Sequence, residues 1–273
     1  MDVLSADWLG ICRRSVAAQR LLFAANPSSA ERSVYEGVGE GGDRTLEIDR
    51  RCEDIVFAEL ETLAAAGACF VAVSEERGEV EFGGGGPVRV VIDPIDGSLN
   101  ARRTIPLHSF SLAVASGPSM ADVEFGFVHD FGADEEFTAR RGEGAQLGGE
   151  PILVSSSEAE MLEVVGLESA EPEWSLPALE ALRGKVYRLR VVGSLAITGC
   201  YVGAGRFDAM FGLRPCRSVD AAASQLIVRE AGGAVSFGDL ALEEASLDLT
   251  VRYPMAAAHS EAALQTVRAA QRA

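Results

Sequence analysis

The chain has 273 residues, enough to bury a large core as one α/β unit or as two close-packed halves. Its 41 acidic against 24 basic residues give a net charge of −17, a field that repels nucleic acid and anionic membranes, so neither is expected as a partner. No apolar run approaches the roughly 20 residues of a membrane span, and Asp2 and Asp7 stand where a secretion signal needs basic residues, so a cytoplasmic protein is expected.

Apolar residues at Val3, Leu4, Trp8, Ile11, Val16, Leu21 and Leu22 recur at helical spacing and predict one amphipathic helix over residues 2–25. Residues 26–43 lose that period and end in a glycine-rich stretch; a lid and a plain tether at 36–43 are both open readings. Ile48, Cys52, Val56, Leu60 and Leu63 predict a second helix over 46–66, with Asp49 in its first turn, where a carboxylate favours the helix dipole. A buried strand over 68–73 then delivers Ser74, Glu75 and Glu76. Residues 79–82, four glycines at 83–86 and the strand at 89–92 predict a hairpin.

That strand opens the most informative stretch. Val-Val-Ile at 90–92 reads as buried, and Asp93, Pro94, Asp96 and Gly97 end it abruptly, leaving two carboxylates at its C-terminal edge. Pro94 fixes its own φ, Gly97 lets backbone approach a ligand, and Ser98 can start a turn whose N–H groups face an anion. The combination suits a metal-held phosphate. The bland alternative, a strand followed by an acidic turn, fits these residues equally well when they are taken alone.

Further strands are predicted over 109–116, 123–131 and 136–140, so residues 1–150 read as two helices laid against an antiparallel-rich sheet. A polar stretch at 148–157 marks the expected boundary to a second half, 151–273. There, strands (163–167, 186–192, 207–211, 234–237, 249–258) alternate with helices (174–182, 194–202, 219–231, from 261), which implies a sheet flanked by helices. Asp220, in Arg-Ser-Val-Asp-Ala-Ala-Ala, falls in the first turn of one helix. Five cysteines without C-x-x-C spacing read as reduced thiols, and His108, His129 and His259 lack metal-ligand spacing.

Asp49, Glu75-Glu76, Asp93-Pro94-Ile95-Asp96-Gly97-Ser98 and Val219-Asp220-Ala221-Ala222, together with Val192-Gly193-Ser194 and Glu230-Ala231-Gly232-Gly233, resemble in order and spacing the signature of the inositol monophosphatase superfamily. The resemblance spans nearly the whole chain. It implies an α+β fold of the layered αβαβα sandwich type, a homodimer, and hydrolysis of a small phosphate ester using two or three Mg2+ ions, with Mn2+ able to substitute. By that pattern Glu75, Asp93 and the Ile95 carbonyl would hold one ion, and Asp93, Asp96 and Asp220 a second. Glu75 would share a third. Ser98, where the family usually has threonine, would be oriented by Asp49 and position the attacking water with Glu75. Gly97 and Ser98 amides would receive phosphate oxygens, Glu76 would support Glu75, and Asp96, Gly193 and Ser194 would face the substrate.

Two departures bear on that substrate. Val219 replaces the tryptophan of eukaryotic-type members, and residues 210–214 lack their inositol-binding glutamate. Arg-Ser-Val-Asp-Ala-Ala-Ala and Ile-Pro-Leu-His-Ser-Phe-Ser are similar instead to the archaeal-type branch, whose members often accept both inositol-1-phosphate and fructose-1,6-bisphosphate. Arg188, Arg190, Arg206 and Arg214 are the candidates for a second phosphate. The resemblance leaves two alternatives: an adenosine 3′,5′-bisphosphate phosphatase, or a regulatory, transcription-associated member. Asp93 and Asp96 lie three apart, unlike the two-apart pair of haloacid-dehalogenase phosphatases, so a covalent aspartyl-phosphate is not expected.

Overall fold

The computed structural model describes residues 2–38, 40, 44–157 and 159–273. Helix α1 (Trp8–Ala25) starts later than its apolar period suggests, because the Asp7 carboxylate accepts the Gly10 amide at 3.0 Å and caps it. Beyond it, β1 (Tyr35–Val38) pairs with β2 (Arg44–Leu46) in a segment expected to be a loop, and α2 (Glu47–Ala65) follows directly. The lid-or-tether question at 36–43 falls partly on residues 39 and 41–43, outside the described residues.

Strands β3 (Phe70–Ser74), β4 (Gly78–Phe82) and β5 (Arg89–Asp96), the short helix α3 (Ser98–Arg102), and strands β6 (Ser109–Ala115), β7 (Val123–Asp130), β8 (Glu135–Arg140), β9 (Gly144–Leu147) and β10 (Glu150–Ile152) come next. The strands form one eight-stranded sheet in the order β10-β9-β8-β7-β6-β5-β3-β4. The expected hairpin between 79–82 and the central strand is not there. Instead β4 pairs antiparallel with β3, Phe82 opposite Phe70, and β5 runs parallel to β3 on its other edge. The reason is burial: β3 is buried at every residue and takes an interior place, whereas half-exposed β4 takes the edge.

The second half contains β11 (Leu162–Glu168), α4 (Pro172–Leu182), β12 (Val186–Arg190), α5 (Leu195–Gly203), β13 (Ala209–Gly212), α6 (Ser218–Glu230), β14 (Ala234–Phe237), β15 (Met255–Ala258) and α7 (Glu261–Gln271). Its strands make a five-stranded sheet in the order β12-β11-β13-β15-β14. The strand expected over 249–258 shrinks to β15, since Asp248 folds the chain back by accepting the Thr250 amide and hydroxyl.

The layers follow from which side of each strand is apolar. Along β6, Phe110, Leu112 and Val114 join Trp8, Phe57 and Leu60 of α1 and α2, while Ala113 and Ala115 turn to the opposite face, against α5 and α6. Each fully buried phenylalanine there contributes about 2–3 kcal/mol of burial. Met210 and Ala257 of the small sheet close on the other side of α5 and α6, and α4 and α7 cover its outer face. The order is therefore α, β, α, β, α, the expected sandwich. Contact between α6 and the large sheet is close enough to need glycine: a Cβ on Gly126 would lie 2.8 Å from the Ala223 carbonyl oxygen.

Candidate active site

Strand β5 positions the centre of the site. Its pairing with β6 is interrupted between Asp93 and Asp96, and Gly97, at φ 91°, turns the chain into α3. Glycine is required there twice over, since a Cβ would also lie 2.9 Å from the Gly193 carbonyl oxygen. The Asp93 carboxylate accepts the Ile95 amide at 3.0 Å, and the Ser98 hydroxyl donates to the Ile95 carbonyl at 2.9 Å. Next to this turn, β3 ends and delivers Glu75 and Glu76, α2 contributes Asp49, and the first turn of α6 contributes Asp220.

Asp49, Glu75, Glu76, Asp93, Asp96 and Ser98 line one cavity of about 420 Å³. A second, of about 320 Å³, is lined by Glu168, Gly193, Arg214, Asp220 and Arg252, and shares Asp96 and Arg217 with the first. Asp96 also begins α5: its carboxylate accepts the Ser194 hydroxyl at 2.5 Å and the Ala196 amide at 2.7 Å, while Ser194 caps the helix. Gly193 donates its amide to Glu168 at 2.9 Å.

The carboxylates repel one another in a poorly hydrated place. Burial, then the charges of Glu75, Asp96 and Asp220, pushes Asp93 well above the usual carboxylate range. Burial raises Glu75 to about 8, against the pull of Arg217. It raises Asp96 to about 6, helped by Asp220 and opposed by Ser194. Asp49 rises to about 7 through burial and Glu76, with the Ser98 hydroxyl working the other way. Ionised together, these groups call for a cation.

Among the described residues no three acidic, histidine or cysteine side chains are gathered as a ready-made metal cage. A guanidinium lies in the cluster instead. Arg217 donates to Glu75 at 2.5 Å and to Asp220 at 3.2 Å, with its side chain only 12% exposed. The chemistry of the donors nevertheless fits a hard divalent ion: all are oxygens, and Asp49 Oδ1 is buried without a hydrogen-bond partner.

Residues 14–273 match the model of the inositol monophosphatase family. The chain belongs to that family. Membership places it among phosphatases, and several family members are similar over most of their length. A fructose-1,6-bisphosphatase/inositol-1-monophosphatase of Thermococcus kodakarensis is 34% identical over 243 residues, covering 85% of this chain and 84% of the relative. The Nus factor SuhB of Escherichia coli is 34% identical over 238 residues, 84% of each chain. A crystal structure of an inositol monophosphatase-fructose 1,6-bisphosphatase superimposes with a TM-score of 0.84 at 28% identity, covering 97% of this chain and 100% of that one.

Within this family fold the expected carboxylates, from four separate elements, come together, whereas three of the four candidate arginines lie elsewhere. Arg206 makes a paired contact with Glu135 at 2.5 and 2.7 Å. Arg188 stacks on Tyr187 at 3.8 Å, and Arg190 bonds the Leu189 carbonyl, both exposed on the edge strand β12. Only Arg214 of the four lines either cavity, held over the Trp174 ring at 4.6 Å and paired with Glu171.

Three residues escaped the sequence reading. Arg217 stands three before Asp220, a spacing that brings side chains together on a helix, and that was the available signal. Arg252 carried none. Glu168 ends β11 opposite Gly212 of β13, so a carboxylate does enter the second cavity beside the segment 210–214 where none was found. It accepts the Thr198 hydroxyl at 2.6 Å and the Gly193 amide, and burial raises its pKa to about 7.

Proposed function

We propose that the protein is a Mg2+-dependent phosphomonoesterase that hydrolyses inositol-1-phosphate and fructose-1,6-bisphosphate. The observation that carries this reading is the cluster of Glu75, Asp93, Asp96 and Asp220, four mutually repelling carboxylates, two of which, Glu75 and Asp220, pair with the Arg217 guanidinium. Glu75, Asp93, Asp96, Asp220 and the Ile95 carbonyl would hold two or three ions, Mn2+ able to replace Mg2+. Bound there, the ions neutralise phosphoryl charge and acidify a water.

The protein's own groups do the rest. Ser98 gives its hydroxyl proton to the Ile95 carbonyl and keeps lone pairs toward the cavity, so it can accept from a water and, with Glu75, orient it. Asp49 lies within hydrogen-bond reach of the Ser98 hydroxyl, which counters the effect of burial on its carboxyl, so it can orient that hydroxyl. Amides of Gly97 and Ser98 receive phosphate oxygens. Thr45 donates its hydroxyl to Glu76, anchoring the carboxylate beside Glu75. The alcohol part of the ester occupies the second cavity, beside Gly193 and Glu168; Ser194, expected to face the substrate, is instead buried with its hydroxyl on Asp96 and lines neither cavity.

Arg214 and Arg252 line that cavity and are the groups we assign to a second phosphate. Replacing both with glutamine should raise KM for fructose-1,6-bisphosphate at least about tenfold, the scale of one lost charged hydrogen bond, while inositol-1-phosphate changes little. Steady-state kinetics on the two substrates checks this, and an equal loss on both would remove the arginines from substrate selection. The regulatory alternative has an observation in its favour, the likeness to the Nus factor. Phosphate release measured over inositol-1-phosphate, fructose-1,6-bisphosphate and adenosine 3′,5′-bisphosphate separates the readings: turnover of none, with metal bound, favours the regulatory one. The proposal includes a homodimer acting in the cytoplasm; among the described residues no helix is long and apolar enough to cross a membrane.

A further inference from the structure

Arg217 has no place in the reaction just described, yet it occupies its most charged position. Its guanidinium spans Glu75, from the end of β3, and Asp220, from the first turn of α6, at 2.5 and 3.2 Å. The two partners are far apart in sequence, and Arg217 bridges them. Asp220 fixes the arginine's starting point as well, since its other oxygen accepts the Arg217 amide at 2.8 Å. Both carboxylates are groups assigned above to metal, and the guanidinium occupies an oxygen of each.

From this juxtaposition we propose that Arg217 is a built-in counter-cation: it neutralises Glu75 and Asp220 in the metal-free protein and must let go of them for the divalent ions to bind. The inference rests on the metal-dependent reading and deepens it. Two arguments support displacement over coexistence. A guanidinium and two or three divalent ions confined with the same carboxylates repel each other in a low-dielectric site. And Arg217 uses donors on oxygens that a metal would need, so each charged hydrogen bond is exchanged for a metal contact. The side chain has somewhere to go, because it borders both the 420 Å³ and the 320 Å³ cavities. Metal loading is therefore a competition, and Arg217 sets the Mg2+ concentration at which the site fills.

Mg2+ titrated into the metal-stripped full-length protein by isothermal titration calorimetry tests the competition, with Arg217→Met and Arg217→Lys beside wild type and thermal melts in chelator and in saturating Mg2+. Arg217→Met should bind Mg2+ roughly tenfold more tightly, having no charged contact to break. Its melting temperature should fall in chelator and recover in Mg2+. Arg217→Lys keeps a charge but only a single compact head, and should fall between the two; it carries the test if the methionine variant does not fold without metal. Wild-type or weaker Mg2+ affinity in the folded variants would overturn the inference and leave the phosphatase reading standing. Absence of Mg2+ binding in wild type and variants alike would overturn both.

Discussion

Asp93→Asn is expected to lower kcat for phosphate release by about a thousandfold or more, the several kcal/mol that metal-assisted charge neutralisation supplies, without unfolding the protein. The side chain is 1% exposed and shared between both proposed ion positions, so its loss weakens the whole site rather than one ligand. Its hydrogen bond from the Ile95 amide survives the change. Asp93 accepts the Ile95 amide through a single oxygen, and an asparagine carbonyl can accept it as well. The substitution also removes a charge that burial and three neighbouring carboxylates disfavour, so the metal-free melting temperature should stay level or rise. Circular dichroism melts beside steady-state kinetics separate the two effects. Near-normal kcat would sink the assignment, and a large drop in melting temperature would show that Asp93 acts chiefly in folding.

The second large effect is a dependence of stability on pH that metal reverses. Glu75, Asp49 and Glu168 have folded-state values of about 8, 7 and 7, against unfolded values near 4 to 4.5, and Asp93 is also raised well above its ordinary value. Between those limits the folded protein holds more protons than the unfolded chain, so its stability falls as pH rises. The window from pH 6.5 to 8 isolates these carboxylates. His129, lowered to about 4 by burial and the nearby Arg20, gives the opposite slope, but only up to about the ordinary histidine value of 6.5. In chelator the melting temperature should therefore drop by several degrees from pH 6.5 to 8. In saturating Mg2+, which binds the ionised carboxylates, the drop should vanish or become a rise. Melts in chelator that are flat or rise across this window would contradict the electrostatic picture.

The parts of this account legible in the sequence are those written in adjacent residues. An apolar β-branched run followed by Asp-Pro-Ile-Asp-Gly states a buried strand with two carboxylates at its end; β5 is that strand, but it runs on through Asp96 before Gly97 turns the chain into α3, and both carboxylates stay buried. Alternating strands and helices after residue 160 likewise gave the second sheet. What could not be read is what packing decides. The pairing partner of β4 depended on β3 needing a neighbour on each edge, a fact about burial on both faces rather than about the glycines between β4 and β5. The arginines show the same limit. Arg188 and Arg190 sit beside the site in sequence, but strand alternation on an edge leaves both in solvent. Arg217 and Glu168 acquire their meaning only when residues more than a hundred positions away, or on a neighbouring strand, arrive against them.

We propose that these carboxylates form a metal-dependent phosphatase site. The most direct test is phosphate release from inositol-1-phosphate by protein stripped of metal with chelator, then returned to millimolar Mg2+. No release in the stripped state and full turnover on adding Mg2+, lost again in Asp93→Asn, is the predicted result. Turnover that persists after stripping, or that Mg2+ fails to restore in protein shown to bind it, would contradict the account.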